Sequence, residues 1–514
     1  MIVIYHNNNC ISRIESKEKN AIIFDRKKSI AFGLMQLAIQ FPESKLVWCH
    51  ESNQEQINLT AIPELMHHHK LMLSYNPGSS DYFGKRIGYI EESPFINVNK
   101  KVSYPTWQMS GLAGVIHASV LIVFKDKIKL DSDFDYYLNS IAKVGMPLGL
   151  FCYSEPKLLA QSSIQTTKSH ASVFVLFKFV KQHYKTRWTI LLLLNLLIYE
   201  FRLPFLAFID ALFFKNRNSL GISLDSIPVQ SNRSVMQNAT IDVIIPTIGR
   251  KEYLYDVLKD LSQQTHLPVN VIIVEQNPLE NSVSDLDYLQ NETWPFIIKH
   301  TFTHQTGACN ARNLALSQVE SEWVFLNDDD NRFEPELIEK IFRSIKKYGA
   351  KSVTTSYLQQ REVLKFLIIQ QSGIFGSGNS FVCSDLLSKL SFDKALEFGY
   401  GEDTDYGLQI RNLGIDIIYF PDPSILHLKA PNGGFRIKPT FPWSAETMQP
   451  KPSPHIMYVK LKHYTEEQLL GYKLVFFLKM LNGQSIFKLR SLISSFNKKW
   501  ERSLYWAKKL NCYD

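Results

Sequence analysis

The sequence predicts an α/β protein: a doubly wound, mostly parallel sheet in its second half, a smaller α/β module before it, and helical segments between and after them. Three observations predict this. Val271 to Val274 and Trp323 to Leu326 are unbroken apolar runs and Ile241 to Ile245 is apolar apart from Asp242, as strands covered on both faces are. Between them lie stretches with apolar residues at helical spacing. A polar stretch rich in Ser, Asn and Pro, Leu220 to Thr240, separates this region from what precedes it.

A chain of 514 residues exceeds what a single core organises. We expect an N-terminal α/β module over 1–165, a helical connector and linker over 166–235, a main α/β domain over 236–450 and a basic helical extension over 451–514. The chain is 45% hydrophobic and 21% charged, which excludes disordered and fibrous classes. Its six cysteines are scattered without a C-x-x-C pair, so neither a disulfide framework nor a zinc site is expected. The first residues lack a basic head and a long apolar run, so the expected address is the cytoplasm. A net charge of +8 is compatible with an anionic partner and does not choose one.

In the first module, Ile30 to Ile39 reads as a helix, Leu46 to Trp48 and Val120 to Phe124 as strands, and Phe134 to Val144 as a helix ended by Gly145. Asp131-Ser132-Asp133 has the form of a second metal motif, yet it abuts that helix and more simply caps it. His67-His68-His69 has no carboxylate or cysteine at ligand spacing and reads as a solvated turn. The apolar run Thr189 to Ile198 is broken by Glu200, Arg202 and Pro204, well short of the ~20 residues of a membrane span. As a connector, it suits a helix buried between domains or one lying on anionic lipid.

In the main domain, Tyr253 to Gln264, Ala308 to Ser317 and Pro335 to Tyr348 read as helices, the last opened by Pro and closed by Gly349. Open parallel sheets bind ligands beyond the carboxyl ends of their strands. Those ends are Pro246-Thr247-Ile248-Gly249-Arg250, Glu275-Gln276-Asn277 and Asn327-Asp328-Asp329-Asp330. Three consecutive carboxylates repel one another, and a hard divalent cation, Mg²⁺ or Mn²⁺, relieves this while bridging to phosphate. The alternative is an acidic loop leading into the next helix. Farther on, Gly399-Tyr400-Gly401-Glu402-Asp403-Thr404-Asp405 sets carboxylates before a helix, and His427 follows a short strand at Ile417 to Phe420. A carboxylate held near an attacking hydroxyl takes its proton; Asp403 is the candidate base, with Glu402 beside it. The alternative for both acids is a helix N-terminus, and for His427 a satisfied structural ring.

On these residues the stretch from about 241 to 435 resembles a family 2 glycosyltransferase of the GT-A fold. The pieces are Pro246-Thr247 with Arg250, Glu275, Gly307 with Ala311-Arg312-Asn313, the aspartates, Gly378-Asn379, Gly-x-Glu-Asp-x-Asp and His427. The resemblance implies that Pro246, Thr247, Arg250 and Glu275 line the nucleotide, usually a uridine diphosphate; members mostly carry Asp where this chain has Glu275. It places Arg312 near the diphosphate or the metal loop, and Asp328, Gly378 and Asn379 at the donor. It implies a D-x-D metal motif, in register Asp328/Asp330 or Asn327/Asp329, so that Asp328, Asp329, Asp330 and His427 are the candidate metal residues. It also implies inversion at the sugar carbon with Asp403 as base, a nucleotide-sugar donor, a glycan or lipid-linked acceptor, and polysaccharide synthesis. Nucleic acid is not an expected partner.

Gly373, Gly376 and Gly378 are expected to let backbone approach the donor sugar. Leu428 to Pro454, with Gly433-Gly434-Phe435-Arg436, reads as a lid or as a surface loop. The module over 1–165 is expected to be a degenerate copy of the same fold, with Phe134 to Met146 matching the helix after the aspartates and Asp126 falling opposite Asp330. The tail from Tyr472 carries Lys479, Lys488, Arg490, Lys498, Lys499, Arg502, Lys508 and Lys509 among Phe, Leu and Trp. It reads as a helical cap on the main domain or as a helix on the inner face of a membrane. Two rivals remain: a nucleotidyltransferase would carry a Gly-rich basic loop after the first strand, where this chain has only Gly249-Arg250-Lys251. A non-catalytic carbohydrate-binding protein would not need so costly an acidic constellation.

Overall fold

The computed structural model describes residues 1–514 except 17–21, 23, 26, 161–169, 219, 432–439, 483–488 and 511–514. The chain divides into two compact units, Met1–Arg233 with Tyr464–Leu478, and Ser234–His463 with Lys479–Asp514.

The first unit carries strands β1 (Ile2–His6), β2 (Ile11–Ser16), β3 (Lys45–His50), β4 (Leu71–Tyr75), β5 (Tyr104–Pro105), β6 (Ala113–His117) and β7 (Phe151–Ser154). They form one sheet in the order β2-β1-β3-β6-β4-β7-β5. Its helices are α1 (Ile30–Gln40), α2 (Ile62–Leu65), α3 (Ala118–Val123), α4 (Phe134–Gly145), α5 (Val173–His183), α6 (Thr186–Glu200) and α7 (Phe205–Leu212). Ser29 caps α1, its hydroxyl accepting from Phe32 N at 3.3 Å, and Asp133 caps α4, accepting from Tyr136 N at 3.0 Å. Asp131 is held by Arg217 and Lys178.

Two expectations are corrected here. Val120 to Phe124 is helical, most of it in α3, and the strand is the five residues before it, β6; a short apolar run has the same pattern in a buried helix and a buried strand. The ring nitrogen of His117 turns the chain between them by accepting from Ser119 N at 3.3 Å. His67 and His68 are buried, not solvated. Burial, with neighbouring positive charge, keeps both neutral, His67 near a pKa of about 3. They pack as aromatic rings, with His67 Nδ1 2.9 Å from the Ser231 hydroxyl and His69 stacked on His117.

The second unit carries β8 (Ile241–Thr247), β9 (Asn270–Gln276), β10 (Ile297–Thr303), β11 (Trp323–Asn327), β12 (Asn331–Arg332), β13 (Ser352–Gln359), β14 (Gln370–Gln371), β15 (Asn379–Cys383) and β16 (Ile418–His427). The sheet order is β10-β9-β8-β11-β15-β13-β16-β12, with β14 also on β16. From β10 to β11 all pairings are parallel; the antiparallel β15 then enters between β11 and β13 and makes the far half mixed. The helices are α8 (Lys251–Ser262), α9 (Tyr288–Asn291), α10 (Ala308–Leu316), α11 (Leu337–Tyr348), α12 (Glu402–Asn412), α13 (Pro454–His463), α14 (Glu466–Leu481), whose residues up to Leu478 belong to the first unit, and α15 (Leu489–Leu510).

α11 shows how the pattern becomes packing. Leu337, Ile338, Ile341, Phe342 and Ile345 form its buried stripe, each side chain contributing about 1.5–3 kcal/mol by leaving water. Gly349 ends the helix at φ 65°, a conformation glycine adopts without a Cβ penalty. The buried Asp242 ties the sheet's amino end together. Its carboxylate accepts from Asn270 Nδ2 at 2.8 Å, Ser321 Oγ at 2.6 Å and Glu320 N at 2.8 Å, so the buried charge is satisfied. α15 buries Phe496, Trp500, Ser503 and Ala507 and packs on α13, leaving Lys498, Lys508 and Lys509 exposed. Lys488 lies outside the described residues.

The two sheets repeat one path. β1, β3, β6, β4, β7 and β5 lie side by side as β8, β11, β15, β13, β16 and β14 do. Every adjacent pair agrees in sense: parallel, antiparallel, antiparallel, parallel, antiparallel. On the outer side of β1, however, the hairpin strand β2 replaces the parallel β9 and β10. The expected internal match was therefore shifted. α4 precedes β7 as α12 precedes β16, so α4 corresponds to α12 and not to α11. Asp126 follows a helix, while the counterpart of β11 is β3, which leads into His50-Glu51-Ser52-Asn53.

Candidate active site

β8, β9 and β11 run parallel, so their carboxyl ends open on one edge; Thr247 lies opposite Glu275 in register. β12 then turns back along β16, placing Asn331 opposite His427. The β13–β16 register slips between Thr355 and Ser356, and the extra β16 residues carry the strand on to His427. His427 thus ends a long strand, where a short strand stopping at Phe420 was expected.

Asp328, Asp330 and His427 each offer one ligand atom, all within 4.8 Å of one another. Two carboxylates and an imidazole suit a divalent ion such as Mn²⁺ or Mg²⁺, and the two aspartates that converge with His427 have the Asp328-x-Asp330 spacing. Asp329 is not in that trio: Arg250 Nη1 takes its carboxylate at 2.6 Å and reaches Asp330 at 3.3 Å. Burial lifts the Asp329 carboxyl to about 6 against the pull of Arg250. For Asp330 burial also raises, yet hydrogen bonds from His427 and from Ala430 N, the latter at 2.8 Å, bring it below its usual value. Burial would lower His427, and the Asp330 carboxylate, 3.4 Å away, raises it instead.

The protein's own cations therefore share the neutralisation. Arg312, buried on α10, donates to Asp328 Oδ1 at 3.0 Å. Burial disfavours its charge, but Asp328, Asp403 and Glu402 together keep it firmly protonated. It links the aspartate cluster to the acids at the start of α12. Gly401, at φ 111°, begins that helix. Asp403 is raised above the usual carboxylate range by burial, opposed by Arg312 and by hydrogen bonds from Ser377; its Oδ1 is buried without a hydrogen-bond partner. Burial and Asp403 raise Glu402 to about 7. The third acid, Asp405, is structural, bound by His463 at 2.6 Å and Lys462 at 2.9 Å.

Other expected residues have local partners. Glu275 binds His300 at 2.9 Å, and this bond and others outweigh burial to lower its carboxyl. Thr247 is buried at the end of β8 beside the half-buried Pro246. Asn379 directs its amide into β13, donating to Thr355 O at 2.6 Å and Thr354 Oγ1 at 3.1 Å. A Cβ on Gly378 would overlap the Asp328 carboxylate and the Tyr357 hydroxyl, and one on Gly376 would overlap the Asn379 amide. These glycines make room for the protein's own side chains. Of the expected lid, Gly433 to Arg436 lie outside the described residues, and Trp443 is buried, stacked on Phe441.

Two residues carried no sequence signal. Tyr357, near the end of β13, has its hydroxyl 2.9 Å from Asp328 Oδ2 and 2.8 Å from Asn331 Oδ1. Glu397 accepts from Cys309 N at 3.0 Å and Asn310 N at 2.9 Å, closing the first turn of the helix that presents Arg312.

Residues 242–378 match the model of Glycosyl transferase family 2. Among curated proteins, an uncharacterized glycosyltransferase of Haemophilus influenzae is 31% identical over 105 residues, 20% of this chain and 34% of that protein. Glycosyltransferase GlyG of Streptococcus pneumoniae is 22% identical over 24% of this chain and 40% of its own length. The chain thus spans well under half of these relatives. Among solved structures, S. aureus TarS 1–349 aligns with 53% of this chain and 87% of its own at 15% identity and a TM-score of 0.35. The segment that matches this family model holds Arg250, Arg312 and the three aspartates.

Proposed function

We propose that this chain transfers a sugar from a nucleotide donor, expected to be a uridine diphosphate sugar, to a hydroxyl of a glycan or glycolipid, with inversion. The observation that carries the reading is the convergence of Asp328, Asp330 and His427 within 4.8 Å, with Arg312 between Asp328 and the acids of α12. Asp403 accepts the proton of the acceptor hydroxyl as that oxygen bonds to the anomeric carbon. The bond from that carbon to the phosphate oxygen breaks, and its electron pair leaves with the nucleoside diphosphate. Attack opposite the leaving group inverts the carbon. Asp328, Asp330 and His427 would hold Mn²⁺ or Mg²⁺, which supplies charge stabilisation for the departing diphosphate. Arg312 and Arg250 hold the carboxylates in place, and Pro246, Thr247 and Glu275 line the edge assigned to the nucleoside.

The test is release of nucleoside diphosphate from a panel of nucleotide sugars with Mn²⁺ or Mg²⁺, comparing wild type with Asp403→Asn and Asp330→Asn. The reading expects metal-dependent release that falls at least about 100-fold in each variant. Equal release by wild type and Asp403→Asn overturns the assignment of the base; absence of release from every donor overturns the reaction.

A further inference from the structure

α7 is built the wrong way round for a helix whose outer face meets only water. The side it buries carries Ala207 and Ala211, while Phe205, Leu206, Ile209 and Leu212 are exposed. At about 100° per residue these four positions, with Phe213 beyond the helix end, fall on one arc roughly a third of the circumference wide. Large apolar residues thus form the outer face, while the inner side carries the two alanines with Phe208 packed beside them, so most of the helix's large apolar side chains point outward.

The segment leading into α7 continues the pattern. α6 ends at Phe201 in the left-handed conformation, φ 54°, and this turn leaves the Phe201 ring 90% exposed. Leu203 follows, 59% exposed, and Leu197 and Ile198 stand exposed on the last turns of α6. Scattered apolar residues on a surface are normal, but a contiguous apolar face marks an interaction site.

The surrounding charge indicates what covers it. From residue 185 to 218, the exposed charged side chains are Lys185, Arg187, Arg202 and Lys215 against a single acid, Asp210. The other acid of this stretch, Glu200, is held by Arg86 at 2.7 Å. Convex aromatic tips edged by cations fit a layer that is apolar inside and anionic at its surface. None of the described helices is long and apolar enough to cross a membrane, so such contact would be made from one side.

We propose that the α6–α7 corner of the first unit is a docking face for an anionic phospholipid bilayer, with Phe201, Leu206 and Phe213 entering the headgroup boundary. The proposal does not depend on the transfer reaction. It is tested by sedimenting the full chain with phosphatidylcholine vesicles, with and without phosphatidylglycerol. Wild type should pellet with the anionic vesicles and be released by salt. The triple variant Phe201→Ser, Leu206→Ser, Phe213→Ser should bind at least about tenfold more weakly, and Lys185→Glu with Arg202→Glu should remove the preference for phosphatidylglycerol. Melting temperature and donor hydrolysis report that the variants remain folded, and exposed positions tolerate serine. Failure of wild type to bind anionic vesicles at low salt, or equal binding by the triple variant, overturns the proposal. So does a wild type that ignores vesicles and self-associates through this face, read as a drop in sedimentation coefficient in the triple variant.

Discussion

The Tyr357 ring lies flat on the His427 imidazole, centroids 4.6 Å apart and planes 5° from parallel, while its hydroxyl reaches Asp328. One side chain thereby orients two of the three candidate metal ligands, the role that outer partners play around metal sites. Tyr357→Phe keeps the stacking and removes the hydroxyl. It should weaken Mn²⁺ activation about tenfold with a smaller effect on the maximal rate, and Tyr357→Ala should weaken it further. Metal titrations of donor hydrolysis check this.

Gly378→Ala should act through Asp328. The added methyl would overlap the Asp328 carboxylate, and Asp328 cannot retreat without leaving Arg312 and Tyr357. We expect activity to fall about 100-fold or more while circular dichroism shows a folded protein.

Arg312 opposes the burial that raises Asp403. Removing the cation should raise the Asp403 carboxyl further, so it loses its proton only at higher pH. In Arg312→Met the acid limb of the pH–rate profile should therefore move up by about one pH unit or more. A profile measured at saturating metal decides it; an unmoved limb would separate Asp403 from the rate.

Glu402 gives a stability prediction for the metal-free protein. Its ordinary value is 4.5, and in the fold it stands at about 7. Between these values the unfolded chain is ionised and the folded chain still holds the proton, so folding binds protons and stability falls as pH rises through this window. The loss is on the order of 2 kcal/mol. Glu402→Gln should flatten this slope in denaturant titrations at pH 5 and 7, within roughly that window.

Much of the second unit was legible because its strands are short, apolar and separated by helices with clear stripes, as at Val271 to Val274 and Leu337 to Ile345. The order of strand ends then brought the aspartates to the edge where α12 begins. What was not legible depends on partners distant in sequence. Asp329, outside the trio of Asp328, Asp330 and His427, is bound by Arg250, 79 residues away. Tyr357 acquires its role from β16 crossing beside it, and no local pattern marks a tyrosine as the support of a histidine 70 residues on. In the first unit, the run Val120 to Phe124 gave no periodicity with which to tell helix from strand. The triple histidine read as polar because residue type alone does not show that Ser231 will cover it.

The return of Tyr464–Leu478 to the first unit has a consequence for synthesis. Gln468 donates to Glu91 O at 2.9 Å and Ser93 O at 3.0 Å, and Gly471 packs against the Tyr89 backbone. While the ribosome is still making the second unit, the first therefore lacks a piece of its own interior. Cutting the chain after His463 would remove that piece together with α15, which packs on α13 of the second unit, so neither unit is complete until the carboxyl-terminal segments have been made.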